Sequence, residues 1–219
     1  MIATLCFGQV ASAQLIYTYS FSGSVTALFD TQGVLPGDIN LNDSVTGTVT
    51  YFDSAPLSGS TLFPGRHTFD STRQASLEVM SGSHVFGRSS ADGFEDFITI
   101  SSGDDFSVRL GDNSDDFVPW ASDPNLLSRS LRIDLRDGDA TVVPSNNLAD
   151  VTGLDLSRFS GPNFGNTVVL LAAEPERLAR FDWSIDTLTL ESVTVPEPSS
   201  ATIGIVVLGF ALRRRKVAC

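Results

Sequence analysis

The sequence predicts an all-β protein: a two-sheet antiparallel β-sandwich, with a jelly-roll-like arrangement left open, followed by a short C-terminal transmembrane helix. Three observations carry this expectation. From Leu15 the odd positions read Leu15, Tyr17, Tyr19, Phe21, Gly23, Val25, Ala27 and Phe29, while the even ones are mostly Thr and Ser. That is the period of a strand with one face buried. Short apolar runs of the same kind follow at close spacing, separated by clusters of Gly, Pro, Asp, Ser and Asn. Only 148–159 and 174–178 offer a turn or two of helix, so sheets must find their cover in other sheets.

The elements follow in order. The run 45–51 echoes 21–26, each with a central glycine, and Leu35-Pro36-Gly37-Asp38 supplies turn chemistry between them. Two adjacent antiparallel strands are expected, with Gly23 and Gly47 allowing a bulge or a bulky neighbour over the sheet. Further strands are expected at 75–80, 84–86, 94–100, 106–110, 131–135, 167–171 and 180–195. Over 131–136 the alternation is clean, which assigns Arg132, Asp134 and Arg136 to the wet face. In the last run Phe181, Trp183 and Ile185 are odd but Leu188 and Leu190 even. A bulge or tight turn near Asp186-Thr187 is the simplest cause.

The two ends of the chain carry the most specific signals. Ala11-Ser12-Ala13 before Gln14 has small residues at both positions that a signal peptidase requires, which places cleavage between Ala13 and Gln14. The segment 1–13 has no basic residue ahead of its short apolar stretch 2–7, so it reads as a truncated signal peptide. At the other end stand Val195-Pro196-Glu197-Pro198, an uncharged apolar run over 201–212, and Arg213-Arg214-Arg215-Lys216. Pro196 and Pro198 lack amide donors and fix φ, keeping this peptide extended and open to a processing enzyme. As a helix, the apolar run reaches about 18 Å at about 1.5 Å per residue. That is short of a hydrocarbon core of about 30 Å. Snorkelling arginines and flanking small residues extend it, which suits a transient anchor. The basic cluster stays cytoplasmic, so everything before Pro196 belongs outside.

This three-part tail resembles the PEP-CTERM sorting signal of exopolysaccharide-producing Gram-negative bacteria. The resemblance implies export across the inner membrane, a transient membrane anchor, cleavage by an exosortase that recognises Pro196, Glu197 and Pro198, and release to the cell surface or matrix. It covers the tail alone and transfers no catalytic residue. The expected organisation is a signal peptide over 1–13, an extracellular domain over 14–195, and a sorting and anchor segment over 196–219.

Composition narrows what the domain can do. Cys6 and Cys219 both lie outside 14–195, which leaves it no disulfide, thiolate nucleophile or sulfur-ligated metal. Removing the four tail cations and Glu197 from 14 basic and 26 acidic residues leaves ten arginines against 25 acids. Such a surface repels nucleic acid and anionic membrane, which argues against both as partners of the body, and can attract divalent cations.

Catalytic patterns are weak. His67 and His84 lack metal-ligand spacing and read as surface or strand-edge residues. No G-x-S-x-G elbow occurs. Glu78 and Glu95 would serve as an acid–base pair only if the fold brought them across one cleft. Asp112, Asp115 and Asp116, then Asp134, Asp137 and Asp139, place hard oxygen ligands on loops, as a calcium site requires. Aspartate is also a common turn residue, which accounts for the same clusters without an ion. The expectation is a non-enzymatic surface or matrix component associated with exopolysaccharide, with no cofactor beyond candidate calcium; the alternative is a secreted carbohydrate-active enzyme on the same scaffold.

Overall fold

The structure is a computed structural model that describes residues 14–54, 66–69, 75–89, 96–101, 105–110, 118–136 and 154–195. These form β1 (Ile16–Phe29), β2 (Ser44–Phe52), β3 (Arg66–Phe69), β4 (Ala75–Ser81), β5 (His84–Ser89), β6 (Asp96–Ser101), β7 (Asp105–Leu110), β8 (Val118–Pro119), β9 (Leu126–Arg136), β10 (Phe164–Leu171), β11 (Glu174–Ser184) and β12 (Thr187–Thr194). Among the described residues the only helical piece is a 3-10 turn at Leu156–Arg158, capped by Asp155, whose carboxylate accepts from Ser157 N.

The ladder follows one path, β3-β6-β7-β9-β10-β11-β1-β2-β4-β5, with β12 added on β1 and β8 on β9. Its middle is β1. One edge of β1 pairs β2 from Ile16↔Phe52 to Ser24↔Ser44, the antiparallel neighbour that the echoed sequence predicts. The opposite edge takes β12 along Ile16–Ser22 and then β11 along Val25–Phe29. Between β11 and β12 the chain breaks at Ile185-Asp186, where Asp186 N donates to Ser22 O. The phase change read in the sequence is this break. Gly47 has the expected bulky neighbour, since a Cβ there would lie 2.4 Å from the Phe21 ring, whereas Gly23 is approached by backbone, with a Cβ falling 1.9 Å from Ser184 O.

Side-chain alternation fills the core. Tyr17, Tyr19, Phe21 and Val25 of β1 are buried, with Val45, Val49 and Tyr51 of β2 and Leu77 and Val79 of β4 beside them. The rings of Tyr17 and Tyr19 stack on Tyr51 at 5.6 and 6.2 Å. At one end of the path, Phe86 of β5 meets Phe181 at 5.3 Å and Trp183 at 6.2 Å on β11 and stacks on Trp120 at 4.8 Å. The sheet therefore curls until it is nearly closed. Gly165 of β10 sits opposite Trp183, and the indole lies where a Cβ would be, 2.1 Å from Cε2. Leu154 and Phe159, flanking the 3-10 turn, close the core from one side, and Leu154 N reaches Tyr19 Oη at 3.4 Å.

Three local expectations fail for physical reasons. The β1 register slips between Val25 and Ala27, and such a slip reverses which side chains face in. Leu28 then packs on the core, while Phe29 is 56% exposed under the Arg180 guanidinium. Residues 174–178 are the first part of β11, not helix: they turn back on β10, with Leu178 opposite Leu170 and Glu174 opposite Leu171. Five residues are too few for helix to nucleate against that ladder. Asp134, assigned to the wet face, is 2% exposed. It lies in a central strand, with Ser107 of β7 on one side and Phe164 of β10 on the other.

Candidate functional site

The strand that leads into the tail is β12. Among the described residues it is laddered only to β1, on one edge. Of its apolar side chains Leu190 and Val193 are open to solvent, at 41% and 45% exposure, as is Val195 just beyond it at 57%, while Leu188 packs on the core. A register shift opposite Thr18-Tyr19 makes Glu191 the extra residue of a bulge, where it accepts from Ser20 Oγ at 2.5 Å. A charged, bulged edge resists uncontrolled pairing with other strands.

The register of β12 settles where the tail departs. Its final pair is Ile16↔Thr194, and Ile16 also pairs Phe52. Leu15 N donates to Asp53 Oδ1 at 3.0 Å, and Asp53 N donates to Leu15 O at 3.0 Å, tying the start of β1 to the end of β2. Gln14 and Val195 thus stand on one rim of the sheet, both exposed. The fold brings Gln14 and Val195, the described residues next to the two expected processing points, to one rim although they lie far apart in the sequence. Gln14 is the described member of the signal-cleavage set; Ala11 and Ala13 lie outside the described residues. So do Pro196, Glu197 and Pro198, the basic residues Arg213, Arg214, Arg215 and Lys216, and the apolar run between them. Among the described residues no helix is long and apolar enough to cross a membrane.

Of the candidate calcium ligands, Asp112, Asp115, Asp116, Asp137 and Asp139 lie outside the described residues. Asp134 is engaged elsewhere. Arg132 Nε lies 2.5 Å from its Oδ2, a charge contact whose N–H is not aligned on the oxygen. A buried carboxylate matched to a guanidinium on its own strand is held by that charge. Among the described residues no three His, Cys, Asp or Glu side chains gather as metal ligands. Glu78 is exposed on β4, and Glu95 lies outside the described residues.

The histidines separate. His67 is 3% exposed on β3, at one end of the ladder path. His84 begins β5, at the other end, and its Nε2 lies 2.8 Å from Asp38 Oδ1. The imidazole sits 5.9 Å from the Trp120 ring. This pair pins the 36–39 turn, closed by Ile39 N on Pro36 O, to the β4–β5 hairpin. The hydrogen bond from His84 holds the Asp38 carboxyl below its ordinary range, against a smaller desolvation effect. Ser122 Oγ is occupied as the acceptor for Val85 N. Sequence reasoning missed the His84–Asp38 pair because its members are 46 positions apart with no shared motif.

No curated protein and no solved structure matches the chain. One family model does: the PEP-CTERM protein-sorting motif, over residues 194–216. Its first residue, Thr194, is the last of β12, so the motif begins where the sheet ends. The chain therefore carries a PEP-CTERM protein-sorting motif at the rim of an all-β body, the address of an exported protein that an exosortase recognises and processes at the membrane.

Proposed function

We propose that the protein is a non-enzymatic component of the cell surface or extracellular matrix, associated with exopolysaccharide and delivered by its tail. The observation that carries this reading is the sorting motif that begins at the last residue of β12. The strongly acidic, cysteine-free composition of 14–195 supports it, since such a body stays soluble among polysaccharides and needs no redox partner. On this reading the strands form a two-sheet sandwich, with β1 and the β11–β12 break as the corner where chain passes between sheets.

Mass spectrometry of the matrix fraction from an exosortase-competent host tests the sorting step. A chain ending in the Pro196-Glu197-Pro198 region is expected, and intact Cys219-terminated protein as the main secreted species would overturn it. Replacing Pro196, Glu197 and Pro198 by alanine should leave an unprocessed, membrane-retained form, because insertion depends on the apolar run and its basic flank. Co-sedimentation with the host's exopolysaccharide tests the association. Turnover of that polymer, abolished by Glu78→Gln, would instead establish an enzyme.

A further inference from the structure

We propose that the rim formed by Leu15, Ile16, Phe52 and Thr194 rests on the bilayer while the chain is anchored, with the opposite, acidic end of the sheet held away from it. The proposal rests on the sorting reading and adds an orientation to it.

Three observations support it. The first is tether length: six residues lead from Val195 to Ala201, where the apolar run begins. At most about 3.6 Å each, they span about 20 Å, less than the length of β1 along β2. That ladder runs from Ile16 to Ser24, about 27 Å at about 3.3 Å per residue. A body hung on so short a tether cannot turn its far end to the membrane while the tether leaves from the near end.

The second is charge. The far end of the same ladder carries Asp43 N bonded to Asn40 O, Asp38 paired with His84, and Asp186 bonded through its amide to Ser22. The near end holds two described carboxylates, Asp53, already accepting from Leu15 N, and Glu191, already accepting from Ser20 Oγ. An anionic bilayer repels the far end more strongly and selects the same orientation.

The third is exposed apolar surface. Val193 and Val195 lie open beside Ile16 at 45% and 57% exposure, on the side from which the tail departs. Headgroup and acyl boundary is a solvent suited to these side chains, and water is not.

The two ends of one hairpin provide the test. Ser76 of β4 lies near the rim, opposite Thr50, and Ser83 lies in the β4–β5 turn at the far end. In the full chain with Cys6→Ser and Cys219→Ser, a fluorophore is attached to Ser76→Cys or Ser83→Cys. Each protein is reconstituted in vesicles of phosphatidylethanolamine and phosphatidylglycerol that contain a nitroxide-headgroup lipid. The Ser76 probe should be quenched several-fold more than the Ser83 probe. If the protein floats with vesicles but both probes are quenched alike, or the order reverses, the orientation is wrong and the sorting reading stands. Failure to float with vesicles overturns both. Thr50→Cys near the rim and Thr46→Cys away from it repeat the comparison on β2, so a misfolded hairpin variant does not end the test.

Discussion

Replacing Gly165 by alanine tests the packing of the core at its tightest point. The added methyl would sit 2.1 Å from Trp183 Cε2 and 2.3 Å from Cζ2 and Nε1, so the indole must move by more than about 1 Å to restore van der Waals contact. It has nowhere to go: Trp183 is 0% exposed, with Phe181 at 5.5 Å and Phe86 at 6.2 Å. Overpacking of this kind costs roughly 1–3 kcal/mol, and a caged ring places the cost at the upper end, about 3 kcal/mol. In a domain of this size that corresponds to a fall in Tm of about 6–12 °C. Trp183→Leu removes the ring atoms from the methyl's position, together with an indole N–H that has no acceptor among the described residues. In that background Gly165→Ala should cost less than about 1 kcal/mol, a coupling of about 2 kcal/mol. Urea unfolding of residues 14–195, with the four proteins of the cycle compared, reads both numbers. A single-variant cost below about 1 kcal/mol, or the same cost in both backgrounds, would refute the argument that the indole occupies the glycine's missing side-chain volume.

Three further outcomes are expected. Because hydrogen bonding to His84 depresses the Asp38 carboxyl below its ordinary 3.8, the stability it contributes is present above that value and is lost as pH falls through the depressed one. The Tm difference between wild type and Asp38→Ala should therefore be seen at neutral pH and vanish in strong acid; a constant difference would sink the assignment. Burial raises the Tyr51 hydroxyl well above 10.0, with Tyr19 adding to the shift, so stability is fully present below pH 10.0 and lost as pH rises beyond it. Tyrosinate absorbance from Tyr51 should appear only together with unfolding, and its appearance in a folded chain would contradict the burial argument. Millimolar calcium should raise the Tm through the aspartate loops, by selective binding to the native state, and no shift beyond a sodium control of equal ionic strength would dispose of that site.

What was legible in the sequence was whatever left a local period. The alternation in 15–29 and 45–51 was enough to foresee β1 and β2 as neighbours, and the phase change in 180–195 marked the β11–β12 break. β3 and β8 were missed because four and two residues are too few to display a period of two. Alternation alone puts Phe29 inside, because it cannot announce a register slip, which is imposed by the partner strand. The clean alternation of its own strand puts Asp134 outside, while its burial depends on β7 and β10. The same division holds for the site. A sorting motif is contiguous, so Pro196-Glu197-Pro198 and its basic flank could be read directly. The meeting of Ile16 with Thr194 leaves no trace in either neighbourhood.

The position of β1 in the ladder governs the order in which the protein can assemble. Among the described strands it is the first to emerge, and the hydrogen-bond partners of its second edge are among the last, as the contact between Ser20 and Glu191, 171 positions apart, records. Contacts of such separation make folding slow and leave early strand edges open until the partner arrives. Only β2, and β4 and β5 beyond it, can join β1 early. In a chain exported from its N-terminus, the Ile16–Ser22 edge of β1 waits unpaired until residues 187–194 have crossed, and the proposed anchor follows only a few residues later. On the sorting reading proposed above, closure of the sheet and arrest of the tail in the membrane are nearly simultaneous, so the processing enzyme meets a body that has only just finished folding.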